Sequence, residues 1–248
     1  MKVFLTLLCS CLILISWTSC SKSKSKNELT GSGNVISQVR NVMGFNQILF
    51  SGNGNLIISQ GNTESLKIEG EDNIVDLITT AVVDKALRID YKKANMAHLI
   101  NSKAPLNIYV QVKDIQEIRL SGSGSISTIK PLTAFQLKVS VSGSGSGQIG
   151  IIGHKLVTIL SGSSNFIVSG TVENQDIWIS GSGDYQAEKL TSKVANVNIT
   201  GSGKVTVNVQ DDIDVHISGA GTVNYQGTPR IRQSISGSGS ITRASEGI

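Results

Sequence analysis

Cysteine is missing from most of this chain: Cys9, Cys11 and Cys20 all lie near its start. The body therefore has no disulfide framework and no thiolate chemistry. With only 3 prolines, the composition counts against a disordered linker protein. Aromatic residues make up 4 % and charged residues 16 %, whereas glycine reaches 26 residues and hydrophobic residues 39 %. That balance disfavours a helical bundle and predicts a narrow core built from Val, Ile and Leu. A length of 248 residues suits one large domain or two small ones.

The net charge of +4 does not point to nucleic acid, because of where it sits. Lys2, Lys22, Lys24 and Lys26 are four of the 22 basic residues, and no acidic residue accompanies them. From Asn27 onward 18 basic residues face 18 acidic ones, so the body is neutral and lacks the excess a nucleic-acid binder needs.

Lys2, the apolar run Val3 to Ile15 and the small residues before Cys20 have the layout of a secretory signal. The run is short for a transmembrane helix. Thr18-Ser19-Cys20 resembles the end of a bacterial lipobox, although Trp17 stands where that motif usually carries Leu. The resemblance implies lipidation at Cys20. The alternating Ser21 to Lys26 then reads as a flexible polar tether. Its basic character favours an outer-membrane anchor facing the periplasm over one on the cell surface.

The dominant feature is an internal repeat. Ser-Gly-Ser-Gly or a near copy begins at Ser121, Ser142, Ser161, Ser180, Thr200, Ser218 and Ser236, at intervals of 18 to 21 residues. With that first residue as position zero, position minus one is always Leu, Val or Ile. Minus three is apolar or Thr158, failing only at Gln233, and plus five is apolar or aromatic except at Gly147. The shared parity predicts strands with one buried face. By the same parity the glycines at plus one and plus three point inward, at a tight bend where backbone closes the core. The zero positions, with Ser123, Ser144, Ser163, Ser182, Ser202 and Ser238 at plus two, are expected to form two outward hydroxyl ladders, interrupted at Ala220.

An 18- to 21-residue repeat of short strands matches one coil of a parallel β-solenoid, an all-β fold in which stacking completes the core. Apolar alternation around every SGSG argues against a flexible Ser/Gly array. The segment Ile48 to Ile58, with Ser51-Gly52-Asn53-Gly54, fits the same frame as a divergent copy. Between it and Ser121, Leu66-Lys67-Ile68-Glu69, Ala86 to Tyr91 and Leu106 to Val112 alternate as strands, and Asp72 is placed to cap a short helix reaching Ile78. The expected organisation is a signal peptide over 1–19, a lipidated tether over 20–30, a divergent coil with a β-rich capping region over 31–117, and the SGSG solenoid over 118–248.

Gly44-Phe45-Asn46-Gln47-Ile48, the Ser51-Gly52-Asn53-Gly54 after it and the recurring SGSG copies resemble the head GIN domain, an auto-transporter adhesin family of exported proteins in Bacteroidetes-type bacteria. The resemblance extends from about Gly31 to the C-terminus. It implies a β-solenoid, export and attachment, and carries no ligand or catalytic residue with it. Family copies often read SGSGD, which here occurs only at Asp184.

Motifs that suggest chemistry have plainer readings. Gly145 to Gly150 matches GxGxxG, but a strand follows where a dinucleotide site needs a helix. Position plus four carries one carboxylate, Asp184, in seven copies, too few for a calcium ladder. His98, His154 and His216 are scattered, without a second ligand at metal spacing, and read as solvated surface residues. Asp211, Asp212 and Asp214 form the densest acidic cluster and are expected in a solvated loop between coils. Trp178 is outward by parity and available to stack on sugar; Tyr185 is inward, at the core edge.

The sequence thus predicts a non-catalytic envelope lipoprotein, without cofactor or metal, whose hydroxyl face meets an extracellular or envelope polymer, glycan or protein. A polysaccharide-active β-helix enzyme using Asp211, Asp212 and Asp214 is the alternative. Self-association through open solenoid ends is a third expectation.

Overall fold

In the computed structural model, which describes residues 29–93 and 99–244, stacked β-strands dominate. The N-terminal part comprises β1 (Leu29–Thr30), β2 (Val35–Arg40), β3 (Gln47–Gly52), β4 (Asn55–Gln60), β5 (Ser65–Glu71), α1 (Asp72–Val75), β6 (Ile78–Val83), β7 (Ala86–Tyr91), β8 (Ile100–Asn101) and β9 (Asn107–Val112). The repeats supply β10 (Glu117–Gly122), β11 (Ser125–Thr128), β12 (Leu132–Gly143), β13 (Ser146–Gly162), β14 (Asn165–Gly181), β15 (Asp184–Gly201), β16 (Lys204–Gly219), β17 (Thr222–Gln226), β18 (Arg230–Gly237) and β19 (Ser240–Arg243). The fold is a parallel β-solenoid, each coil consisting of two strand runs joined by the SGSG turn.

Position zero of every copy pairs with position zero of the next. Ser51, Ser121, Ser142, Ser161, Ser180, Thr200, Ser218 and Ser236 therefore form one column of eight. The divergent coil β3–β4 lies directly against β10–β11 although about 70 residues separate them in sequence. The intervening residues add one more layer to the same sheet, β7 pairing with β3 and β9 with β4. That layer is then finished by antiparallel strands, β6 on β7 and β5 then β2 on β9. The other end is different: β18 and β19 pair on one side, and Ile231 and Ile235 are partly exposed there.

The core follows the repeat parity. Position minus one is buried from Leu120 through Ile217, as is minus three from Ile118 through Val215, Thr158 included. At plus five, Phe166 and Tyr185 are fully buried, so Tyr185 lies within the core and not at its edge. Its hydroxyl donates to Gln175 Oε1 at 3.3 Å, and Gln175 Nε2 donates to Ser192 Oγ at 2.7 Å. Burial pushes the Tyr185 hydroxyl far up from its ordinary pKa, keeping it a neutral donor inside the core.

Parity fails at the plus-one glycines. Gly143, Gly162 and Gly219 are exposed and Gly122, Gly181 and Gly201 half-buried, with φ between 106° and 125° in all six. The positive φ turns the chain and interrupts the alternation, which is why they do not point inward. A Cβ on Gly162 would lie 2.4 Å from the carbonyl oxygen of Gly143 in the coil beneath. The plus-three glycines from Gly124 to Gly221 are buried against minus-one side chains; a Cβ on Gly203 would lie 2.6 Å from Ile179 Cγ2.

The helix is also shorter than expected. It ends at Val75, Glu71 takes the N-cap position without a side-chain cap bond, and Ile78 opens β6. Asp72 instead bonds Ser32 and Asn34 of the N-terminal segment. Glu71 is almost wholly buried, its carboxylate accepting from Ser102 Oγ at 2.7 Å and from the backbone N–H groups of Gly33 at 2.6 Å and Lys103 at 2.8 Å. The Ser102 hydrogen bond, with the backbone donors, holds its pKa below the ordinary glutamate range against the opposing effect of burial. The folded value lies below the unfolded one, so this stabilisation is complete above the ordinary range and is lost as pH falls through the folded value. Protection factors at Gly33 and Lys103, taken relative to the intrinsic exchange rate at each pH, are therefore expected to fall on acidification before those of β13–β15. Glu71→Gln should remove the difference, and simultaneous loss of protection throughout would contradict this.

Candidate functional site

Strand pleating sets every second residue of the run before each SGSG on the outer face. Position minus two supplies a column of Arg119, Ser140, Ile159, Trp178, Asn198, His216 and Ser234 beside the hydroxyl column. Between the two columns, across the later coils, runs an open groove with a cavity volume of about 540 Å³. Trp178, 50 % exposed, is its largest side chain, and Ile159, Asn198, His216 and the hydroxyls of Ser180 and Thr200 also line it. The zero-position residues from Ser121 to Ser236 are exposed throughout, as are Ser123, Ser144, Ser163, Ser182, Ser202 and Ser238 at plus two.

Charge on this face is arranged in cross-coil pairs. Lys155 Nζ lies 2.7 Å from Asp176, Arg230 2.8 Å from Asp212, and Arg232 3.3 Å from Asp214. Asp211, Asp212 and Asp214 are thus strand residues of β16, not residues of a loop, and Asp212 and Asp214 are bound to arginines of the next coil. The histidines likewise have carboxylate neighbours that sequence spacing did not reveal. His216 Nε2 lies 3.2 Å from Asp214, and His154 Nδ1 lies 3.3 Å from Glu173. His154 also stacks on exposed Phe135, ring centroids 4.8 Å apart. Among the described residues no three His, Cys, Asp or Glu side chains converge as metal ligands.

Asp184 accepts from Gln186 Nε2 at 2.8 Å on the opposite run, away from the groove. Cys20 and His98 lie outside the described residues. Sequence reading singled out Trp178 but missed Ile159 and Asn198. The signal was position minus two, read down the repeats as a column in its own right.

Stacked parallel coils, a continuous hydroxyl column and an open groove define a repeat protein that presents one long ordered face. The chain belongs to the family described as "Putative auto-transporter adhesin, head GIN domain", whose model matches residues 44–229. It is similar to a solved "putative adhesin" from Bacteroides fragilis, with 27 % identity and a TM-score of 0.81 over 87 % of this chain and 100 % of that one. It is also similar to a "putative lipid binding protein" from Parabacteroides distasonis, with 25 % identity and a TM-score of 0.72 over 88 % and 100 %. A "putative adhesin" from Parabacteroides merdae, 21 % identical over 88 % and 100 %, shares the fold with a TM-score of 0.70. No curated protein matches the chain.

Proposed function

We propose that this protein is a non-catalytic binding module of the bacterial envelope, exported, lipid-anchored through Cys20 and gripping an extended polymer with its hydroxyl face. The observation that carries the reading is the register: eight hydroxyl residues stand in one exposed column. Each hydroxyl both donates and accepts, and repetition of weak contacts along one ligand multiplies their effect. Membership of an adhesin-type family supports attachment over catalysis. Two of the three aspartates a hydrolase would draw on, Asp212 and Asp214, are engaged by Arg230 and Arg232. The basic tether favours the periplasmic face of the outer membrane.

The test is an array of glycans and matrix proteins probed with the purified protein. A reproducible hit is expected, weakened about tenfold or more, or roughly 1.4 kcal/mol, when Ser161, Ser180 and Ser218 are replaced by Tyr. A hit indifferent to those replacements would refute the hydroxyl face as the binding surface.

Among the described residues β18 and β19 each pair on one side only, which extends the reading to self-association, since an unpaired strand edge recruits another strand. Mass by light scattering should rise with protein concentration, and a monomer at every concentration would rule it out.

A further inference from the structure

We propose that the groove at Trp178 takes a linear, uncharged glycan lying along the solenoid axis, one sugar ring stacked on the indole and its neighbours hydrogen-bonded to the hydroxyl column. This rests on the column being a binding face and adds the class of ligand and its direction.

The first support is the indole itself. Trp178 stands half-exposed on β14, flanked in its column by Ile159 and Asn198, with Ser180 following it on the same outward face. A large apolar ring beside aligned hydroxyls offers a stacking surface for the C–H face of a sugar and partners for its hydroxyls. Asn198 and His216, also lining the groove, add amide and imidazole groups of mixed donor and acceptor character.

Spacing gives the direction. Rungs of the column recur about every 4.8 Å, the separation of neighbouring strands, which is comparable to the advance of one unit in an extended β-linked glycan. A chain laid along the axis meets successive rungs with successive sugars. A chain laid across the coils meets one rung and then the charged positions.

Charge and shape narrow the class. On the same outer face Lys155, Arg230 and Arg232 each sit within 3.3 Å of an aspartate oxygen. An acidic polysaccharide or an anionic headgroup would have to displace those carboxylates. Beneath the groove Leu160, Ile179, Ile199 and Ile217 are at most 3 % exposed, so the core is filled. The groove is open along its length, whereas an acyl chain needs a slot that encloses most of its surface.

The chain has 2 tryptophans, and Trp17 falls in the expected signal peptide over 1–19, so the processed protein carries Trp178 as its sole indole and its fluorescence as a local reporter. That protein is titrated with cellohexaose and chitohexaose, and separately with phosphatidylcholine–phosphatidylglycerol vesicles. Saturable change with at least one oligosaccharide, and none with vesicles, is expected. By an array readout, Trp178→Ala should weaken glycan binding about tenfold, the scale of one aromatic contact, with Trp178→Phe retaining most of it. Trp178→Ala should keep the parent thermal midpoint, since the side chain is half-exposed. Array binding that is lost on blocking the hydroxyl column but unchanged in Trp178→Ala would overturn the glycan subsite and leave the binding face standing. A response to vesicles alone would overturn it in favour of lipid. Binding indifferent to the column would remove both.

Discussion

Phe166→Ala is expected to destabilise the solenoid by about 3–5 kcal/mol, the range for a fully buried aromatic ring. Phe166 is wholly buried at plus five and is paired in register with Gly147 of the preceding coil. Gly147 is the gap in an otherwise apolar or aromatic column, and Phe166 fills it: a Cβ on Gly147 would lie 2.0 Å from Phe166 Cε2. The two residues therefore share one volume. Gly147→Ala should overpack the site and cost about 1–3 kcal/mol. Phe166→Leu should leave a partial cavity. Combined, the changes roughly conserve volume, so the double variant should be at least about 1 kcal/mol more stable than the sum of its parts. Denaturant titration of the four proteins measures the coupling, and strict additivity would show that Gly147 and Phe166 do not share space.

A second large effect is expected at the glycine column. Gly201 has φ 117°, and a Cβ there would lie 2.5 Å from the carbonyl oxygen of Gly181. That oxygen accepts the Ser202 N–H at 2.9 Å, so the clash falls on a hydrogen bond between coils. Strain of about 1–3 kcal/mol at such a φ, together with about 1 kcal/mol for the weakened bond, puts Gly201→Ala at roughly 2–4 kcal/mol. Coils bind only their neighbours, so the loss should open the C-terminal coils first. Gly44 is the control: φ is 77° and nothing lies within 4 Å of its would-be Cβ. Gly44→Ala should cost about 1 kcal/mol, from backbone strain alone. Equal losses in the two variants, by thermal or chemical unfolding, would show that close stacking is not what holds glycine at Gly201.

These two sites also show how far the sequence could be read. Positions that alternate in register with the SGSG turn, from Leu120 to Ile217, were legible because pleating depends only on neighbours along the chain. So was the stacking of Ile48 and Phe50, whose frame matches the repeats they pair with. The plus-one glycines were misplaced because a positive φ interrupts the alternation on which parity depends. Glu71 was not legible: the donors around its carboxylate come from Gly33 and from Ser102 and Lys103, tens of residues away in either direction. Gln175 is buried at a position that alternation marks as inward, and its polarity is accommodated by Tyr185 and Ser192 on other runs of the chain. The ion pairs of Asp212 and Asp214 follow the repeat interval, and reading that interval across coils as well as along strands brings Arg230 and Arg232 beside them. The groove emerges the same way, once minus two is taken as a column.

The proposed binding surface is the exposed hydroxyl column together with the column beside it. The most direct test is hydrogen exchange of the protein with and without the polymer identified on the array. Slowed exchange is predicted in the segments 159–163, 178–182 and 198–202, which carry both columns, with 65–112 unchanged. Protection confined to 65–112, or to the run after each SGSG turn, would contradict it.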